Sequence, residues 1–179
     1  MNAPMSLSQT VQAVASGSHS AAAVLEVCIA RIEATESRVN AFTGTRFNAA
    51  RAQAARVDAQ RARGEPLGPL AGVPFAVKNL FDIAGEVTLA GAQVNRSDPP
   101  ATADAVLVER LQGAGAVLVG SLNMDEYAYG FTTENTHFGP THNPHRLDCS
   151  AGGSSGGSGA AVAAGQVPLT LGSDTNGSI

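Results

Sequence analysis

The stretch LGPLAGVPFAVKNLFDIAG, residues 67–85, has the rhythm of turn, short apolar strand, turn, with VPFAVK (73–78) as the strand. Downstream, Asp104 to Gln112 reads as a helix with Ala105, Leu107, Val108 and Leu111 apolar. Gly113 and Gly115 end it, and AVLVG (116–120) reads as a buried strand. Strand, helix and strand in that order predict an α/β fold, a mixed β-sheet flanked by helices.

Upstream, residues 1–65 read as a helical N-terminal arm. Ser6 or Ser8 caps a short helix ending near Gly17, and Ser18 or Ser20 caps the next. In that second helix Val24, Leu25, Cys28, Ile29 and Ile32 make one apolar face. VNAFTG (39–44) is short, β-branched and aromatic, as a strand would be. An alanine-rich helix follows from about Phe47 to Arg63 and ends at Gly64. Arg51, Asp58 and Arg61 share one side of it, expected to be a solvated face, and Arg56 lies off that side.

The chain has 179 residues, 44% apolar and 15% charged, a globular composition. With 11 basic and 15 acidic residues its net charge is −4, which gives no reason to expect direct contact with nucleic acid. No apolar run spans a bilayer, and MNAPMSLSQT lacks the basic start and apolar stretch of a secretory signal. Cys28 and Cys149 form no C-x-x-C pair and read as reduced, buried thiols. These features together predict a cytoplasmic protein.

Two glycine-rich loops carry the chemistry. AGGSSGGSG (151–159) would be a flexible linker by composition alone. A linker does not run straight into the helix-like AAVAAG and the strand-like VPLTLG. The loop also lacks the Gly-Lys-Ser/Thr ending of a phosphate-binding P-loop and any G-x-G-x-x-G after a strand. That leaves the adjacent serines Ser154 and Ser155. GSDTNGS (172–178) follows the strand VPLTL, and a serine behind such a turn suits a nucleophile ringed by backbone N–H groups. A hydroxyl needs a base, and no histidine is an obvious one. Lys78 ends an apolar strand, where burial lowers its pKa and lets it be neutral.

These segments resemble the amidase signature family. The matching pieces are GVPFAVKNLFD around Lys78, GSLNMDEYAYGFTTENTHFGPTHNP, AGGSSGGSGAAVAAG and GSDTNGSI, which cover most of residues 66–179. The resemblance implies the amidase signature fold and three catalytic residues: Ser178 as nucleophile, Ser154 as a bridging serine in a cis peptide, and Lys78. The separation 178 − 154 = 24 agrees with the family spacing. It further implies an oxyanion hole from the backbone of Thr175, Asn176, Gly177 and Ser178, with Gly153, Ser155, Asp174 and Thr175 in support. Asn176 stands where the family commonly has glycine, and asparagine is the next most tolerant residue of left-handed backbone. Thr-Asn-Gly-Ser resembles a subgroup similar to the carboxybiuret hydrolases, which act on small linear ureas.

The activity so implied is hydrolysis of a linear carboxamide or urea-type C–N bond through a serine acyl-enzyme, on a small-molecule substrate, with no cofactor and no metal. The alternative is the ammonia-releasing component of a glutamine-dependent aminoacyl-tRNA amidotransferase. A small accessory subunit or a homo-oligomer is compatible with either. A further element is expected after GSDTNGS, so residues 66–179 read as the N-terminal part of the core, ending just past the nucleophile.

Other polar clusters read as structural. His137, His142 and His145 in THFGPTHNPH are interleaved with Pro140 and Pro144, which suggests an irregular loop in place of a metal site. Asp125 and Glu126 are adjacent and point apart, as structural hydrogen bonding near the site would have them.

Overall fold

The computed structural model describes residues 4–179. Ser6 caps α1 (Leu7–Ser16) through a reciprocal box with Gln9, and Gly17 ends it at φ 76°. Ser20 caps α2 (Ala21–Val39) by accepting from the Ala23 N–H. Val24, Leu25, Ile29 and Ile32 are its buried face. The short strand β1 (Phe42–Thr45) and helix α3 (Phe47–Ala62) follow. Then come β2 (Pro74–Lys78), α4 (Val106–Gly113) and β3 (Val117–Leu122). After four short strands, α5 (Gly156–Ala163) leads to β8 (Leu169–Leu171).

One sheet has the order β1-β3-β2-β8. β2 is parallel to β3 and to β8, and β1 is antiparallel to β3. β2 is therefore central, and all five of its residues are buried. Alternation along the strand assigns its side chains to two layers. Phe75 and Val77 join Ile83, Val108 and Leu118 on one face. Ala76 joins Val117, Val119, Ala160 and Ala161 on the other. Lys78 shares the parity of Ala76, so it leaves the sheet on the side of α5.

The division expected at residue 65 is not a break in packing. β1 pairs with β3, and Val14, Leu25, Ile29 and Ala54 share one core with Ala76, Val119 and Leu122. Three short helices cannot bury their apolar stripes alone, and they do so against the sheet. The solvated face expected on α3 is likewise corrected. Asp58 turns inward and accepts the N–H groups of Ala21 (2.7 Å) and Ala22 (3.0 Å), capping α2 from a neighbouring helix. Arg51 does stay at the surface, paired with Glu26 at 2.7 Å.

Two further expectations change. The segment holding the histidines is not irregular but folds as two hairpins, β4 (Glu134–Asn135) with β5 (Gly139–Pro140) and β6 (His142–Asn143) with β7 (Arg146–Ser150). Gly139, at φ 81°, admits the tight turn of the first hairpin. Both cysteines are free, as expected, but half-buried. Burial pushes the Cys28 thiol up to about 11. Among the described residues no helix is long and apolar enough to cross a membrane.

Candidate active site

The three parallel strands deliver their carboxyl ends to one edge of the sheet, where sites in open α/β sheets form. Lys78 ends β2, Asn123 and Asp125 follow β3, and Ser173 and Asp174 follow β8. Ser154 and Ser155 reach the same edge from the start of α5. That helix comes close because Gly157 has no side chain: a Cβ there would lie 2.5 Å from the backbone N and O of Asn123.

Lys78 is wholly buried. Its Nζ donates to Ser154 Oγ at 2.7 Å, Ser155 Oγ at 2.9 Å and Ser173 Oγ at 2.9 Å, with Ser173 C=O at 3.4 Å. Removal from water pushes its pKa down from 10.5 to about 8, against the opposing pull of the Asp125 and Asp174 charges. The neutral amine is thus more accessible than in an exposed lysine.

Ser154 is wholly buried, and the peptide bond joining Gly153 to it is cis. The Ser154 carbonyl accepts from Asp125 N–H at 3.3 Å. Ser178 is buried on the neighbouring loop, and its carbonyl accepts from Ser155 N–H at 3.1 Å. A cavity of about 650 Å³ opens beside Ser178, with Phe131, Gly153, Ser155 and Gly177 in its wall. An apolar groove of about 510 Å³ between α1 and α2 holds none of these residues.

Asp174 organises the loop. Its carboxylate accepts from Gly177 N–H at 2.6 Å and Ile179 N–H at 3.0 Å, and the backbone donor of Ser178, followed by those of Gly177 and Ile179, holds its pKa below the usual range. The Gly177 N–H, expected as an oxyanion donor, is therefore turned to Asp174 in this arrangement. Thr175 and Asn176 lie exposed on the same loop.

Asp125 does what structural hydrogen bonding requires: Oδ1 accepts from Thr133 N–H at 3.0 Å, while Oδ2 is buried without a partner. Glu126 points away, 3.5 Å from His137 Nε2. Ser173 is a residue that sequence reasoning misses, although it lies within GSDTNGS. Nothing local distinguishes it from the other serines there. Thr133 is missed for the same reason; its Oγ1 accepts from Gly156 N–H at 3.0 Å and so steadies the start of α5.

A family model described as Amidase matches residues 23–179. The chain is 65% identical over 171 residues to AtzE, a 1-carboxybiuret hydrolase subunit of Pseudomonas sp. (strain ADP), in an alignment covering 96% of this chain and 37% of that protein. It is 48% identical over 175 residues to a glutamyl-tRNA(Gln) amidotransferase subunit of Salinispora arenicola (strain CNS-205), covering 98% of this chain and 35% of that one. An inhibitor-bound solved structure, described as a vestigial protein complex that reveals the evolutionary origins of an s-triazine catabolic enzyme, superposes with a TM-score of 0.97. Its identity is 63%, over 98% of this chain and 38% of that one. The chain thus spans a little over a third of the length of the relatives it matches.

Proposed function

The chain belongs to the amidase signature family, and from that premise we propose that the protein is an amidohydrolase that cleaves a linear carboxamide or urea-type C–N bond through a serine acyl-enzyme. The observation that carries the reading is the buried 2.7 Å contact between Lys78 Nζ and Ser154 Oγ, on an amine whose pKa burial has lowered to about 8.

In the proposed reaction Ser178 Oγ attacks the substrate carbonyl. Its proton passes to Ser154 Oγ, whose own proton passes to neutral Lys78 Nζ. The ammonium returns a proton through Ser154 to the leaving nitrogen, and the C–N bond breaks. Water then attacks the ester with the same relay as base, and Ser178 is released. Backbone N–H groups of Thr175 and Asn176 are the proposed oxyanion donors. The Gly177 N–H stays with the Asp174 carboxylate in this scheme. Side chains and backbone suffice for each transfer, so the scheme calls for no cofactor.

The 65% identity to a 1-carboxybiuret hydrolase subunit supports a small urea-type substrate, and the complex described for a 63% identical structure supports an accessory subunit. The proposed setting is the cytoplasm. Within this scheme residues 66–179 supply the catalytic groups, and residues 1–65 supply the edge strand β1 and helices that pack against the sheet. The 48% identity to a glutamyl-tRNA(Gln) amidotransferase subunit supports a second reading, release of ammonia from glutamine for a partner. Glutaminase activity that arises only when partner subunits are added would favour it.

The test is covalent. A fluorophosphonate probe applied to the full-length protein should label Ser178. Labelling of Ser155 with Ser178 untouched would overturn the assignment.

A further inference from the structure

Three hydroxyl oxygens surround Lys78 Nζ: Ser154 at 2.7 Å, Ser155 at 2.9 Å and Ser173 at 2.9 Å. They are not equivalent. A serine hydroxyl has one hydrogen and two lone pairs. Ser155 gives its hydrogen to the Ser173 carbonyl at 3.0 Å and accepts from the Ser173 N–H at 3.2 Å. Its second lone pair takes a hydrogen of Lys78. Ser155 is fully committed, and toward the amine it can only accept.

We propose that Ser173, locked to Ser155, is a positioning residue for the base: the two oxygens hold two N–H groups of Lys78 and leave the third direction to Ser154. In the neutral amine those two N–H groups go to Ser155 and Ser173, and the lone pair faces the Ser154 hydroxyl. In the ammonium all three oxygens accept. Only the Lys78–Ser154 bond reverses direction between the two states, and the hydrogen that moves is that of the Ser154 hydroxyl. Without the clamp the lone pair has no fixed heading. The inference rests on Lys78 acting as the base. The charged groups that act on Lys78 are Asp125, from the loop after β3, and Asp174, from the loop after β8, and both stay in place in the variants below.

The experiment follows the rate of fluorophosphonate labelling of Ser178 with pH in the full-length protein. Wild type, Ser173→Ala, Ser173→Thr, Ser155→Ala and Lys78→Arg are compared. Loss of the Ser173 hydroxyl leaves the buried ammonium with one acceptor fewer, which favours the neutral amine. In Ser173→Ala the rising limb should move down by about one pH unit. Its plateau should fall about tenfold, since the lone pair is misaimed. Ser173→Thr keeps the hydroxyl and should keep both values, which a purely steric role would not predict. Ser155→Ala should shift the limb in the same direction. A limb that stays in place or moves up in both alanine variants, while Lys78→Arg abolishes it, defeats the clamp alone. A limb that survives Lys78→Arg defeats the reading of Lys78 as base.

Discussion

Gly153 rests directly on the carboxylate of Asp125: a Cβ at Gly153 would stand 2.1 Å from Asp125 Oδ2, and 2.7 Å from the backbone nitrogen of Thr132. The second of these neighbours is backbone and cannot swing aside. Gly153→Ala must therefore displace the peptide that carries Ser154 from its 2.7 Å contact with Lys78. Labelling of Ser178 should fall about 10²-fold, as for a comparable misplacement of a reacting group. The overpacking should cost roughly 1–3 kcal/mol in a denaturant melt. A variant that labels at the wild-type rate would show that this contact does not position the serine.

Lys78 should be irreplaceable as a base. Lys78→Ala and Lys78→Arg are both expected to lose about 10²–10⁴-fold in activity. Arginine keeps the charge but cannot give up its proton. Wild-type activity should rise with pH through about 8, and both variants should lack that limb. Retention of most activity by Lys78→Arg would remove the base from the scheme.

The same shift has a signature in stability. The folded pKa of Lys78 lies at about 8, below the ordinary 10.5, so the native state binds this proton less well than the unfolded chain. The resulting penalty is fully present below about 8 and is relieved as pH rises toward 10.5. Relative to Lys78→Met, the unfolding free energy of the wild type should therefore increase across that window. A difference that is flat with pH, or that falls, would contradict the depressed pKa.

Asp58 should behave as a tertiary helix cap. It holds the first two N–H groups of α2 from α3, at 2.7 Å and 3.0 Å. Asp58→Ala should cost about 1–2 kcal/mol, the usual range for loss of a cap, and lower the melting temperature. Labelling of Ser178 well below that temperature should stay near wild type. An unchanged melting curve would return Asp58 to the solvated surface.

Asp174 should matter to activity more than to stability. Its carboxylate ties Gly177 and Ile179 at an exposed loop, and little core packing depends on it. Asp174→Ala should cut labelling of Ser178 at least about tenfold, because the loop that carries the proposed nucleophile loses its anchor. Its melting temperature should change little, as for other exposed positions. A large drop in melting temperature with normal labelling would reverse that assignment.

The sequence by itself determined what depends on neighbours along the chain. A serine before each of the first two helices and Gly17 between them punctuate the arm, though only the structure chose Ser6 over Ser8 and Ser20 over Ser18; the apolar run before Lys78 makes a strand, and AAVAAG and VPLTL continue as helix and strand. The roles proposed for Lys78, Ser154 and Ser178 come from the resemblance of their motifs to the amidase signature family, which needs no knowledge of the fold. Tertiary structure alone decided which groups meet. Lys78 reaches Ser154 across 76 positions and Ser173 across 95, and Asp58 reaches Ala21 across 37. It turned the Gly177 N–H to Asp174 and folded residues 1–65 into the same core as the sheet. The physical reason is that periodicity and capping are written within a turn or two of helix or strand. A hydroxyl's partner, or a lysine's loss of solvent, is fixed only when distant segments pack together.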